Sequence, residues 1–168
     1  MKRAVPFSAS SIAALGFLLA GCVGAGVDQV VEGECPPVAP LATADRLPAN
    51  GFNARITAAQ LSCYVDRGSG DLLAEVTLTG ATDKSGVELP FFVAALDDKG
   101  VIISRTQMKV TPSATQFSYA LPKISYGRKG SDSLKARLVV GFVLSDAQLA
   151  ANRRAYSRAI GLSRDVSR

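Results

Sequence analysis

The chain contains no histidine and no tryptophan, and only three of its 168 residues are cysteine. The missing histidine excludes most. It removes the commonest general base, the usual partner of a serine or cysteine nucleophile, and the commonest metal ligand. An enzyme built on this chain would have to work through carboxylate, lysine or tyrosine chemistry. There is no Cys-x-x-Cys pair, and without histidine no ordinary zinc site can be completed. There is no long acidic or basic block. The charged fraction is 20% and the hydrophobic fraction 48%, which suffices for one packed core. One domain is the expectation at this length.

What is present begins with the N-terminus. Lys2 and Arg3 form a short positive segment. Ile12 to Ala20 is a compact apolar run, followed by Leu19-Ala20-Gly21-Cys22. This order of charge, apolar core and small residues is that of a secretory signal. The apolar stretch is too short for a hydrocarbon core of about 30 Å and is broken upstream by Pro6, Ser8, Ser10 and Ser11. Its ending resembles the bacterial lipoprotein signal family, whose motif reads Leu, small, Gly or Ala, Cys. The resemblance implies cleavage before Cys22, a diacylglyceryl thioether on that cysteine, and acylation of the new N-terminus, so that covalent lipid makes the membrane a partner. Val23 follows, where an aspartate in that family often signals retention in the inner membrane. The resemblance therefore implies an outer-membrane anchor in the cell envelope, facing the periplasm.

With residues 1–21 removed the net charge falls from +5 to +3, too mild to point to nucleic acid. The charge is uneven. Arg153, Arg154, Arg158, Arg164 and Arg168 stand against Asp165 alone at the C-terminus. With Cys22 assigned to lipid, Cys35 and Cys63 remain as an even pair in an exported, oxidising setting, and a structural disulfide is expected. Residues 22–40 read as a lipidated start and a Pro-rich tether, since Cys35-Pro36-Pro37-Val38-Ala39-Pro40 is held extended by its prolines.

Residues 41–145 read as strands. Ile56 to Val65 forms one. Leu72, Ala74, Val76 and Leu78 alternate with Leu73, Glu75, Thr77 and Thr79. Asp83 to Gly86 turns the chain, Pro90 to Leu96 is an apolar strand, and Asp97-Asp98-Lys99-Gly100 is a hairpin turn leading into Val101 to Val110. Thr115, Phe117, Tyr119 and Leu121 alternate, as do Leu134, Ala136, Leu138, Val140, Phe142 and Leu144. Six or seven strands joined by Gly/Asp turns predict a mainly β, antiparallel sandwich. Ser145 and Gln148 form a capping box, predicting a helix from Asp146 to about Ile160 within a basic segment 146–168. Leu149, Tyr156 and Ile160 share one helical face and are expected to dock, with the arginines exposed.

The strand "LLAEVTLTG", the hairpin "FFVAALDDKGVIIS" and "TQFSYALP" resemble the immunoglobulin-like domains of bacterial surface lipoproteins. The Cys-Pro-Pro arm and the closing "GFVLSDAQLAANR" resemble a group of proteobacterial lipoproteins. These resemblances imply an immunoglobulin-like sandwich and carry no site residues across.

Candidate chemistry is sparse. Asp97 and Asp98 could bind a cation, but Asp and Gly also serve turn geometry alone there. Gly127-Arg128-Lys129-Gly130-Ser131-Asp132-Ser133 could hold an anion, but a strand follows where a P-loop needs a helix. The contacts to consider for an anion or a partner are Lys123, Arg128, Lys129, Arg153, Arg154 and Arg158. No catalytic residue, metal ligand or cofactor is expected. Two function classes remain: a non-enzymatic envelope module that binds or assembles with a protein partner, and a carrier or sensor of a small or anionic ligand using the loop at Lys123 to Lys129. A deep apolar pocket would favour the second; a solid core with an exposed strand edge would favour the first.

Overall fold

Most alternating stretches become strands, though of the stretch Leu134 to Leu144 only Arg137–Phe142 does, Leu134 lying outside the described residues; several short strands form where no alternation shows. The computed structural model describes residues 29–30, 35–128 and 135–161. Among these the order is β1 (Gln29–Val30), β2 (Val38–Pro40), β3 (Arg46–Ala49), β4 (Phe52–Val65), β5 (Asp71–Thr82), β6 (Leu89–Leu96), β7 (Ile102–Val110), β8 (Gln116–Ala120), β9 (Ile124–Arg128), β10 (Arg137–Phe142) and α1 (Asp146–Ala159). β5 is the clearest case of cause and effect. Its burial alternates without a break from Leu72 to Thr82, so the period-two pattern lays one whole face on the core.

The strands build two sheets. In the larger, β4 and β5 form the central antiparallel pair; β1 and β3 flank β4, and β8 and β9 flank β5. The smaller runs β2-β10-β6-β7. Every pairing is antiparallel except β2 with β10. Ile56, Ala74, Val76 and Leu78 from the larger sheet meet Phe91, Val93, Leu138, Val140 and Phe142 from the smaller in one buried cluster. The chain is a mainly β sandwich with a C-terminal helix, consistent with the immunoglobulin-like reading.

Two glycines let the layers approach. A Cβ at Gly80 would collide with the Arg55 carbonyl and the Phe117 ring, beside the bulge at Thr57 in β4. A Cβ at Gly141 would lie 2.8 Å from both Ala44 Cβ and Phe92 Cε1. Gly141 thereby lets the segment after β2 lie flat on the outer face of β10, where the Phe142 N–H donates to the Ala44 carbonyl at 2.8 Å.

The arm differs from the expected tether. Gln29–Val30 already pairs with β4, and Val38 to Pro40 is a strand of the smaller sheet. The folded body thus starts earlier than residue 41. The prolines keep the arm extended as expected, and they confine it to an edge, because a proline ring offers no N–H to a ladder. The arm contributes carbonyls instead: Leu138 N donates to the Pro37 carbonyl at 2.9 Å. β1, β3 and β9 also lie outside the strands read from the sequence. Each is short and lacks a full alternating window.

A disulfide joins Cys35 to Cys63 on β4, with Cα atoms 5.7 Å apart. Cys63 is 1% exposed. The bridge closes a separation of 28 residues, worth about 3.5 kcal/mol in the chain-entropy model. Replacing both cysteines by serine should lower the unfolding free energy by about that amount in urea titration. A change below about 1 kcal/mol would mean that β2 is held by its ladder and packing alone.

Candidate functional site

Two ends of the sandwich must be distinguished before its charged residues can be placed. β4 spans 14 residues, roughly 45 Å of extended chain. At its Val65 end lie β1, the disulfide, the 66–70 turn and the 97–100 turn; this is the arm end. At its Phe52 end lie β3, the 83–88 loop and α1; this is the helix end.

The expected cationic contacts do not converge. Lys123 and Arg128 flank β9 near the arm end, roughly 16 Å apart along the strand. Each has a local partner. The Lys123 ammonium sits 4.3 Å from the centroid of the Tyr64 ring. Arg128 Nε donates to Asp71 Oδ1 at 3.2 Å. Lys129 lies outside the described residues, as do Cys22, Arg164 and Arg168. Arg153, Arg154 and Arg158 are exposed on α1 at the opposite end of the molecule. The structure therefore assembles no single cationic cluster from Lys123, Arg128 and the helix arginines.

The helix is capped as its sequence predicts. Gln148 N donates to Ser145 Oγ and Ser145 N donates to Gln148 Oε1, at 3.3 and 2.9 Å. Its docking is a correction. Tyr156 and Ile160 are 41% and 47% exposed, and Leu149 is half-buried. The contact is made by amides. Gln148 Nε2 donates to the Pro48 carbonyl at 2.6 Å, and Asn152 Nδ2 donates to the carbonyls of Thr43 and Arg46 at 3.1 and 2.8 Å. The physical reason is the surface beneath. β3 and the segment before it present backbone carbonyls, which need donors. Amides at i and i+4 on one helical face supply them; aliphatic side chains cannot. That spacing was the signal available in the sequence.

Beneath α1 two shallow grooves open, of about 300 and 570 Å³. They share Arg46, Asn152 and Ala155, and both are surface features. Between the sheets the space is filled instead: Tyr126, Phe91, Leu78, Val93 and Val140 are each at 0% exposure.

The turns are held by carboxylates accepting backbone N–H groups. Asp97 Oδ1 accepts from Lys99 N and Val101 N, at 2.9 and 2.7 Å. This is turn chemistry, and no group of three or more His, Cys, Asp or Glu capable of holding a metal occurs among the described residues. Asp66 Oδ1 accepts from Ser69 N and Gly68 N, which holds its carboxyl below the usual carboxylate range. Asp83 accepts from the backbone N–H and then the side-chain amide of Asn53, at 2.8 and 3.0 Å, with the same effect.

No family profile, curated protein or solved structure matches this chain. No helix among the described residues is long and apolar enough to cross a membrane.

The two lowered carboxyls set a pH dependence. A depressed folded-state value means that the stabilisation is complete above the ordinary carboxylate range and is lost as pH falls through and below it. Asp83→Asn should therefore narrow the stability difference between about pH 6 and about pH 3. Urea midpoints at the two pH values test this. An unchanged difference would place the acid sensitivity elsewhere.

Proposed function

We propose that this chain is a non-enzymatic envelope lipoprotein, held to a membrane by lipid on Cys22, whose sandwich is a rigid binding or assembly module. The observation that carries the reading is the disulfide between Cys35 and Cys63. It lies just after the Leu19-Ala20-Gly21-Cys22 motif and fastens the incoming arm to β4. A bridge of this kind belongs to an exported, oxidising compartment. It also transmits a lipid anchor to the body through a short, tied arm.

A filled core supports a binding module over a small-ligand carrier, which would need a deep apolar pocket. β7 supports it too, since it is the outer strand of the smaller sheet and offers an edge to a partner. The wider assignment to the outer membrane rests on Val23. Mass spectrometry of the N-terminal peptide from the native membrane fraction tests the reading. It should find residue 22 as the lipid-bearing first residue; an intact peptide beginning at Met1 would refute it. Affinity purification of the lipidated protein from its native envelope then tests for an envelope protein partner.

A further inference from the structure

Three consecutive aliphatic side chains stand in solvent at the arm end. Val101, Ile102 and Ile103 are 60%, 55% and 47% exposed. They follow the 97–100 turn at the start of β7. Scattered exposed aliphatics are ordinary on a protein surface, but three in a row on a tight hairpin are not.

The hairpin holds them rigidly. Asp97 N donates to the Val101 carbonyl at 2.9 Å, and Gly100 N donates to the Asp97 carbonyl at 3.1 Å. Gly100 takes the left-handed conformation, φ +82°, that the turn requires. Together with the Lys99 and Val101 N–H groups that donate to the Asp97 carboxylate, four hydrogen bonds within the turn fix its shape. Inserting the tip into another phase would therefore cost little ordering entropy.

The apolar surface continues onto the outer face of the smaller sheet. A shallow trough of about 430 Å³ runs from Ile102 past Leu96 to Val139, with Arg105 and Arg137 at its rim. Arg105 stacks over Phe92, 5.0 Å from the ring centroid. Neither arginine has an ion-pair partner among the described residues. Lys99 is exposed at the turn. Asp97 and Asp98 share the turn; the Asp97 carboxylate is occupied by backbone donors. Aliphatic side chains beside three cations, which outnumber the carboxylates of Asp97 and Asp98, match the layering of a bilayer surface, acyl chains beneath and phosphates above.

Position along the chain supplies the second argument. Six residues separate Cys22 from Gln29, whose Cα partner in the sheet is Val65. Seven peptide steps reach at most about 25 Å. A lipid on Cys22 thus keeps the arm end within that distance of the bilayer, and the Val101 to Ile103 tip lies at this same end. The helix end is roughly 45 Å further along β4.

We propose that the Val101-Ile102-Ile103 tip seats in the lipid surface beside the anchor, so that the sandwich stands arm end down with α1 pointing away. The inference rests on the lipid-anchored reading above. The closing arm of the experiment, without lipid on Cys22, separates a failure of the tip from a failure of that reading.

The test uses the full chain carrying Lys99→Cys labelled with an environment-sensitive fluorophore. Position 99 adjoins the tip and leaves its aliphatics intact. A label at Ser85→Cys in the 83–88 loop is the control at the helix end. Lipidated protein is reconstituted in vesicles of phosphatidylcholine, with and without phosphatidylglycerol, containing a nitroxide-bearing lipid. Expected are a blue-shifted emission and at least about twofold stronger quenching at 99 than at 85. Changing Val101, Ile102 and Ile103 together to Ser should abolish the difference while non-reducing peptide mapping still finds Cys35 joined to Cys63. Dependence on phosphatidylglycerol would assign part of the contact to Arg105 and Arg137. Equal quenching at the two positions would overturn the proposal, as would quenching at 99 that survives the triple Ser change. Should mass spectrometry find Cys22 without lipid, the anchor fails separately. The same labelled chain, added to preformed vesicles, still reports whether the tip enters the surface, and no quenching there overturns the tip as well.

Discussion

Cys22→Ala should move the protein from the membrane fraction to the soluble fraction of the envelope. The expected change is close to all-or-none, because two different scales of membrane affinity are involved. Each buried methylene contributes about 0.8 kcal/mol, and one acyl chain alone binds only reversibly. Two or three chains on one residue give an anchor that does not leave on the timescale of fractionation. The folded body has far less to offer. Even with all three tip aliphatics inserted, Val101, Ile102 and Ile103, each already about half covered, supply less than about 1.5–3 kcal/mol each before any cost of association, which is peripheral binding. Fractionation of cells expressing each form, followed by detection of the protein, measures this. The substitution is not expected to unfold the body, since the Cys35–Cys63 bridge and the core lie elsewhere. A Cys22→Ala protein that stays with membranes through a high-salt wash would reject lipid on this residue as the anchor.

Phe91→Ala should remove about 4–5 kcal/mol of folding stability. Phe91 is at 0% exposure on β6. Its ring lies 5.0 Å from that of Phe142 on β10 and 5.7 Å from that of Phe117 on β8. It therefore bridges the two sheets. Truncation would lose the buried area of the ring, both aromatic contacts, and the cavity's share of dispersion. Phe117 cannot move in to fill the space cheaply, since its ring already lies against Gly80. Many domains are stable by only 5–15 kcal/mol, so the variant should unfold at much lower urea and accumulate poorly. Phe91→Leu, which keeps much of the volume, should cost less than half as much. Equal losses for the two variants would mean that the retained volume recovers nothing and that the ring contacts carry the stabilisation.

Both predictions rest on features legible along the chain, though to different depths. The Leu19-Ala20-Gly21-Cys22 motif is read directly and lies outside the described residues. The inward position of Phe91 follows from its strand, and the stacking with Phe117 and Phe142 required the fold. The helix shows the same division more sharply. Its start, its cap and the exposure of Arg153, Arg154 and Arg158 follow from local rules. Its docking face does not, because hydrophobic periodicity assumes an apolar surface beneath. β3 and the segment before it present carbonyls instead, and Gln148 and Asn152 were chosen over Leu149, Tyr156 and Ile160.

The sequence by itself determined the mainly β class, the long alternating strands, the turns at 83–86 and 97–100, and the pairing of the two cysteines left after Cys22. Period-two alternation and turn residues are local codes, and an even pair of thiols admits one partner each. Only the tertiary structure decided that the proline arm is a strand of the body, that β9 exists, and that Lys123 and Arg128 lie far from the helix arginines. Short edge strands are recruited by the free ladder groups of a neighbour already in place, which no local window contains. Charges close in sequence are carried to opposite ends of a sandwich whenever the chain between them crosses its length. Exposure follows the same rule: Val101, Ile102 and Ile103 begin a stretch of mixed polarity, and their place at the start of the outer strand leaves them in solvent.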